Sequence, residues 1–416
     1  MFGVIENTTL EQQANIKTIG IGGGGGNTVA HMLKLGHHEE GLEFIMANTD
    51  QQALRNAGRH ALVIGETLTQ GLGAGAKPEI GRQAAEESEN AIQDRLEGAD
   101  MLFITAGMGG GTGTGAAPVI ARLARSMGIL TIAIVTRPFS FEGIKRQRLA
   151  DEGIKALAEE VDSLITIPND KLLAVMGKNA SLLTAFDAVN DVLKDAVLGI
   201  SEMITAPGMI NVDFADVRTV MSSQGFAKIG TGMATGENRA EEAAMAAINS
   251  PLLDDVQVNG AKGLLVNISA GLDLSIGEFN AVGEALRGYV GDDATVVIGT
   301  SVDMEKSEEI KVSVVVTGLG EATPISSAPS QQQQKKPAFI SPRSSMNTTQ
   351  QEPASDRRRE APQRDHHPIE QAPRYPNNSA DNEDMPKQKV RQRRPSLTEE
   401  EYLDIPAFLR RTSAGH

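Results

Sequence analysis

The chain has 416 residues, 40% of them apolar, no cysteine, and a formal net charge of −15. Its length exceeds a usual single domain and its apolar content suffices for a sizeable core, so two globular units with additional segments are expected. Without cysteine there is no disulfide framework and no thiolate zinc site; with no basic-then-apolar leader and no 18-residue apolar span, a soluble cytoplasmic protein is expected.

The charge is unevenly divided. Residues 321–416 hold 13 acidic and 15 basic side chains, which leaves about −17 on residues 1–320. Such a body repels nucleic acid. A free nucleotide remains compatible with it, because backbone N–H groups and a helix N-terminus hold phosphates inside an acidic protein.

In chain order, the apolar run at residues 16–21 predicts a buried strand and residues 28–35 predict a helix. Between them lies GGGGGN, Gly22 to Asn27. Five consecutive glycines cost backbone entropy, and between a strand and a helix they let the chain approach a phosphate at the helix start. Gly20, Gly22 and Gly25 also satisfy G-x-G-x-x-G, with Asp50 at a ribose-binding distance, so a dinucleotide site stays open at this point. The lysine of an ordinary P-loop is missing.

Residues 42–47 predict the next strand, followed by NTD at 48–50 and GLGAGA at 71–76. A helix is predicted over 78–97 and a strand over 101–105. That strand leads into AGMGGGTGTGAAP, residues 106–118, before a helix predicted over 116–126 with Pro118 in its first turn. Two glycine turns at the carboxyl ends of neighbouring strands surround a triphosphate with backbone donors and with Thr112 and Thr114. An NAD site has one such loop and a nicotinamide pocket. With a strand over 129–136, the alternation predicts an open, doubly wound α/β sheet.

RPFSFEGIKR, residues 137–146, contains Glu142 and Arg146, which on their own read as a solvated i,i+4 ion pair. Leu182, Phe186, Val189, Leu193, Val197, Ile200 and Ile204 recur at three- and four-residue spacing, the apolar stripe of one long helix connecting two domains. On that stripe Phe186 reads as core. In NVDFADV, residues 211–217, Asp213 and Asp216 lie on one side of a helix start with Asn211 as a natural cap. Strands over 263–269, 294–300 and 309–317, with helices over 237–248 and 275–287, predict a smaller α/β unit with its own core. Neither His37 with His38 nor His366 with His367 has further donors nearby to make a metal site.

From residue 321 to 395 the chain is rich in Pro, Ser, Asn and Gln with little aliphatic periodicity, which predicts a disordered linker. It ends in LTEEEYLDIPAFLRR, residues 397–411. There Tyr402, Leu403, Asp404, Ile405, Pro406, Phe408 and Leu409 concentrate apolar anchors after a polar stretch, which predicts a linear partner-binding peptide. The basic residues Lys387, Lys389, Arg391, Arg393 and Arg394 serve either solubility or weak attraction to anionic lipid and acidic partners.

GGTGTG resembles the tubulin signature. Together with GGGGGN, NTD, GLGAGA and NVDFADV it resembles the tubulin/FtsZ family, the tubulin-like GTPases of bacterial cell division. The resemblance covers nearly all of residues 15–318 and resumes at DIPAFLRR. It implies an α/β, tubulin-like fold: a doubly wound Rossmann-type GTPase domain joined by a long central helix to a smaller α/β domain, then a disordered tail. The implied divisions are a flexible N-terminus (1–14), a GTP-binding domain (15–180), the central helix (181–205), a C-terminal α/β domain carrying the catalytic loop (206–320), the linker (321–395) and the C-terminal peptide (396–416).

The resemblance also implies site roles. Gly23, Gly24, Gly25, Gly26 and Asn27 would wrap the phosphates of GTP together with Gly109, Gly110, Gly111, Thr112, Gly113 and Thr114. Ala74, Gly75 and Ala76 would stand near the γ-phosphate, and Glu142 and Arg146 at the ribose and phosphate side. Phe186 would stack on guanine while Asn190 and Asp191 read its edge; a carboxylate accepts from the guanine N1–H and N2–H₂ donors, a pair adenine lacks. Mg²⁺ would be carried by the GTP phosphates, with no metal site from protein side chains alone, and GDP is the product. Asn211, Asp213 and Asp216 would act as catalytic residues on the next subunit's nucleotide, since their loop belongs at the opposite pole. Such a contact is heterologous and builds open filaments.

The implied setting is a cytokinetic ring in the cytoplasm at midcell, under the inner membrane. There the peptide at 396–416 binds membrane-tethering and regulatory division proteins, and neither nucleic acid nor the bilayer interior is a partner. Alternatives at this point are a segregation filament of the same superfamily, a scaffold that binds nucleotide without hydrolysing it, and an NAD-dependent enzyme.

Overall fold

The computed structural model describes residues 14–36, 42–177, 180–206, 208–210, 212–222, 225–253, 261–287, 291, 293–303 and 308–319. The N-terminal segment 1–13, Asn211, and residues 320–416 with the linker and the peptide all lie outside the described residues.

The first half alternates strand and helix. β1 (Ile16–Ile21), α1 (Gly22–Lys34), β2 (Leu42–Asn48), β3 (Ala61–Val63), α2 (Glu66–Thr69), α3 (Pro78–Glu87), α4 (Glu89–Leu96), β4 (Met101–Gly107), α5 (Thr112–Ser126), β5 (Leu130–Arg137), α6 (Ile144–Ala158), β6 (Ser163–Pro168) and α7 (Asn169–Met176) precede the long α8 (Leu182–Thr205). There follow α9 (Phe214–Met221), β7 (Gly225–Thr235), α10 (Arg239–Ile248), β8 (Gly263–Ala270), α11 (Ile276–Arg287), β9 (Thr295–Val302) and β10 (Glu309–Leu319).

All ten strands form one sheet in the order β3-β2-β1-β4-β5-β6-β7-β10-β8-β9. From β3 to β7 every pairing is parallel, and β10 then runs antiparallel to both β7 and β8. The doubly wound prediction therefore holds, and the order 3-2-1-4-5-6 reverses direction between β1 and β4. In open α/β sheets that reversal opens a ligand crevice beyond the carboxyl ends of the strands.

Side-chain alternation explains the layers. On β4, Met101 and Phe103 join the core beneath α1 and α8, whereas Leu102, Ile104 and Ala106 join the opposite core beneath α4 and α5. Successive side chains of a strand point to opposite faces, so a strand buried on both reads as an unbroken apolar run. The buried stripe Ala185, Val189, Leu193, Val197 and Ile200 places α8 in a core shared with Val217 of α9, Leu265 of β8 and Val315 of β10. A separate core gathers α10, α11 and the outer strands, as expected for the C-terminal unit.

Several boundaries differ from expectation. The glycines Gly22–Gly26 are not a turn ahead of the helix; they are its first turns, and α1 begins six residues early. The reason is packing: a Cβ on Gly25 would collide with the Thr105 carbonyl, so glycine lets α1 lie directly on β4. Likewise α5 begins at Thr112, which places Pro118 inside the helix and not in its first turn. The span 78–97 divides at Ser88 into α3 and α4. The N-cap of α9 is Asp213, so the cap assigned to Asn211 belongs two residues later.

Among the described residues, no helix is long and apolar enough to cross a membrane.

Candidate functional site

Ile21 of β1 pairs in register with Ala106 of β4, so the two glycine segments leave adjacent strands at the same level. Each opens a helix, α1 from Gly22 and α5 from Thr112. Two helix N-termini, with their unsatisfied N–H groups and positive dipole ends, thus meet at the point of strand reversal. A cleft of about 380 Å³ lies there.

Its walls come from the carboxyl ends of five strands. Gly23, Gly24 and Asn27 enter from α1, Asn48 and Asp50 from the end of β2, and Gly107, Met108 and Gly110 to Gly113 from beyond β4. Gly73, Ala74, Gly75 and Ala76 form a strap over the same end, with Ala76 held at φ 58, a backbone conformation that carries strain in a residue with a side chain. Thr136, Pro138, Glu142 and Arg146 follow β5, Asn169 follows β6, and Phe186, Val189, Asn190 and Leu193 come from α8.

Not every glycine of the two strings faces the cleft. Gly25 and Gly26 are buried beneath it, and neither Gly109 nor Thr114 lines it. Gly109 sits at φ +91, and the Thr114 hydroxyl accepts from its N–H at 2.8 Å, closing the loop on itself. The Thr112 hydroxyl meets that of Thr49 at 2.7 Å.

The pair Glu142 and Arg146 departs from the solvated reading. The Glu142 side chain is only 4% exposed, lies 3.1 Å from Arg146 Nε, and accepts from the Phe139 N–H at 2.9 Å. It is a pinned strut in the wall. Phe186 departs from the core reading in a similar way: it is half-buried and opens on the cleft, and the buried Phe139 meets its ring edge-on with centroids 5.4 Å apart. One face of an aromatic ring is thereby presented to a ligand in fixed orientation.

Asn190 lines the cleft, and its Oδ1 lies 3.1 Å from the Thr28 hydroxyl. Asp191 does not line it; its Oδ1 bonds His31 Nε2 at 2.9 Å. Asn169 carries no sequence signal, yet it stands out here. It is 4% exposed, lines the cleft, and its Oδ1 has no hydrogen-bond partner among the described residues. A buried orphan acceptor is costly unless a ligand supplies the donor.

Asp213 and Asp216 are exposed and stand apart from this cleft. Asp213 is the N-cap of α9, and its carbonyl accepts the N–H of Asp216 at 3.0 Å. Arg218, on the next turn, approaches the carbonyl of Asp100 at 3.5 Å, at the opposite end of β4 from Gly107. Seven residues of strand at about 3.3 Å each separate the two ends by roughly 20 Å. Among the described residues no group of three or more His, Asp or Glu side chains is placed to hold a metal ion.

Residues 15–177 match the model of the Tubulin/FtsZ family, GTPase domain, and residues 225–320 match the FtsZ family, C-terminal domain. The chain is 62% identical over 313 residues to the cell division protein FtsZ of Coxiella burnetii, covering 75% of this chain and 81% of that one. The chain belongs to the tubulin/FtsZ family. A second FtsZ, from Pseudomonas aeruginosa, is 61% identical over 321 residues, 77% of this chain and 80% of its own. Among solved structures, an empty FtsZ dimer from M. jannaschii superposes with a TM-score of 0.71 at 42% identity, covering 74% of this chain and 89% of that one. The fold is thus tubulin-like, and every lining residue of the cleft except the four from α8 falls within the matched GTPase domain.

Proposed function

We propose that the chain binds and hydrolyses GTP and assembles head-to-tail into filaments of the bacterial cytokinetic ring. One observation carries this reading. Two glycine-rich helix starts converge on one cleft, while the acidic start of α9 lies at the other end of the sheet. A single chain therefore holds GTP without a carboxylate from α9 near it, and the next chain in a polar filament supplies Asp213 and Asp216, with Asn211 of the same loop.

In this reading the N–H groups of Gly23, Gly24 and the loop 110–113 bind the phosphates, and the strap 74–76 covers the γ-phosphate. Phe186 stacks on the base, Asn190 reads its edge from the lining, Asp191 joins it through its second oxygen although it does not line the cleft without a base, and Asn169 gains the donor it lacks. The incoming acidic pair orients the attacking water, since phosphoryl transfer depends on positioning and electrostatic stabilisation.

Arg146 is the one Lys or Arg among the described lining residues, too little positive charge for a triphosphate. Mg²⁺ would fit that deficit: Asp50, a carboxylate of the lining, would help hold it, and the ion would supply charge neutralisation to the phosphates when bound. GTP favours longitudinal association and GDP weakens it.

The functional divisions follow: GTP binding in 15–180, the connecting helix in 181–205, the catalytic loop and its domain in 206–320, a linker in 321–395 and the partner peptide in 396–416. The linker joins that peptide to the preceding domain across 75 residues. It tethers the filament through Tyr402, Leu403, Asp404, Ile405, Pro406, Phe408 and Leu409 to membrane-bound and regulatory division proteins at midcell, on the cytoplasmic side. Asp216→Ala tests the reading: the variant retains GTP with wild-type affinity and loses turnover. Unchanged turnover would identify a site complete within one chain.

A further inference from the structure

Two residues of α1 face α8. Thr28 and His31, three apart and so on one helix face, meet Asn190 and Asp191 respectively. The Thr28 hydroxyl lies 3.2 Å from the Gly24 carbonyl and 3.1 Å from Asn190 Oδ1, so its single proton serves one of them at a time. His31 makes the more definite contact. Its Nε2 lies 2.9 Å from Asp191 Oδ1, with the His31 side chain 23% exposed and the carboxylate 50% exposed.

Lys194 Nζ reaches the same Oδ1 at 3.4 Å. Both donors thus converge on one oxygen of Asp191. A carboxylate has a second oxygen, and one fixed through Oδ1 presents Oδ2 in a defined direction. Left to itself, a half-exposed aspartate on a helix surface samples several rotamers and forfeits part of any two-point contact in being ordered.

We propose that His31 is a positioning residue for base selection: it holds Asp191 in the orientation that reads the paired N1–H and N2–H₂ donors of guanine. The inference rests on the assignment of Asp191 to the guanine edge. It adds a coupling within one element, because α1 begins at the phosphate-facing glycines and reaches His31 nine residues later, about 13 Å along the helix axis. The helix whose N-terminus receives the phosphates also aligns the group that selects the base.

The test uses the full chain and two nucleotides, GDP and IDP, whose bases differ in the exocyclic N2 amine. Dissociation constants are measured for wild type, His31→Gln, His31→Leu, Asp191→Asn and the double variant His31→Leu with Asp191→Asn. Glutamine keeps a donor near the place of Nε2; leucine keeps bulk and removes the donor. The expected result is that His31→Leu weakens GDP about tenfold, the size of one hydrogen bond to a charged group, and IDP by less than twofold. His31→Gln stays within twofold of wild type for both. In the Asp191→Asn background the His31→Leu loss disappears, as it must if one residue acts through the other.

If Asp191→Asn lowers the preference for GDP over IDP while His31→Leu leaves it unchanged, the guanine reading stands and the role of His31 is overturned. If Asp191→Asn itself leaves that preference unchanged, the base assignment fails and the inference falls with it. Should His31→Leu not fold, His31→Glu sets a second carboxylate against Asp191 and reads the same coupling: the preference falls if His31 positions Asp191, and an unchanged preference overturns the proposal.

Discussion

The Arg218 guanidinium lies 3.5 Å from the Asp100 carbonyl, which sets α9 beside the N-terminal end of β4. The glycine loop 107–113 leaves the other end of that strand. The cleft and the acidic pair therefore lie toward opposite ends of one sheet, and the chemistry proposed for them would require two chains.

Complementation between two defective copies follows from this geometry. Asp216→Ala has an intact cleft and a defective pole; Gly109→Ala, whose Cβ would sit 2.5 Å from the Arg146 carbonyl, has a defective phosphate loop and an intact pole. Each alone is expected to hydrolyse GTP at less than a tenth of the wild-type rate. Mixed in equal amounts they should recover a substantial fraction of it, measured as phosphate release. No recovery would mean that both groups act within one chain.

The two glycines 109 and 110 should separate by mechanism. Gly109 has φ +91, a conformation that costs a residue with a Cβ about 1–2 kcal/mol. Nothing lies within 4 Å of a Cβ built on Gly110, which lines the cleft. Gly109→Ala is expected to lower the thermal midpoint of the nucleotide-free protein by several degrees, and Gly110→Ala to leave it unchanged while weakening GTP. Equal midpoints for both variants would contradict the assignment.

Asn169 gives a ligand-specific prediction. Because its buried Oδ1 has no partner among the described residues, Asn169→Ala removes no protein hydrogen bond at that atom. Stability without nucleotide should change by less than about 1 kcal/mol, whereas GTP affinity should fall about five- to tenfold. Calorimetric titration alongside thermal melting checks both halves, and a destabilised variant with normal affinity would assign Asn169 to the fold.

Acid stability centres on Arg239, 7% exposed, which bonds Glu278 at 2.6 Å and Asp273 at 2.7 Å. The hydrogen bond from Arg239 holds the Glu278 carboxyl down at about 2, below its usual 4.5. A carboxylate depressed in the folded state contributes stability that is fully present above its unfolded pKa and is lost as pH falls through the folded value. Stability should therefore decline between about pH 4.5 and 2, and Glu278→Gln should flatten that decline and destabilise the protein at pH 7 by a few kcal/mol. Denaturant unfolding at pH 7, 4.5 and 3 measures it; an identical pH profile in the variant would contradict the account.

Much of this was legible before the structure. β1 matches its apolar run residue for residue, because a strand buried on both faces leaves no ambiguity of period. Part of each glycine string lines the cleft, but the helical state of the first was hidden: glycine has poor helix propensity, and contact of α1 with β4 overrides it. α6, β6 and α7 carried no clear signal, since β6 is six residues long with Ser, Thr and Pro in it. Asn169 and His31 were unreadable for a different reason. The roles proposed for them come from convergence of separate elements, and no spacing along the chain encodes that convergence.

The central claim is a catalytic site divided between chains, and phosphate release from GTP across a protein concentration series, with sedimentation read in the same tubes, tests it most directly. The account predicts almost no activity per molecule below a threshold concentration, then a rise that follows the pelletable polymer. Constant activity per molecule at every concentration, with nothing sedimenting, would contradict it.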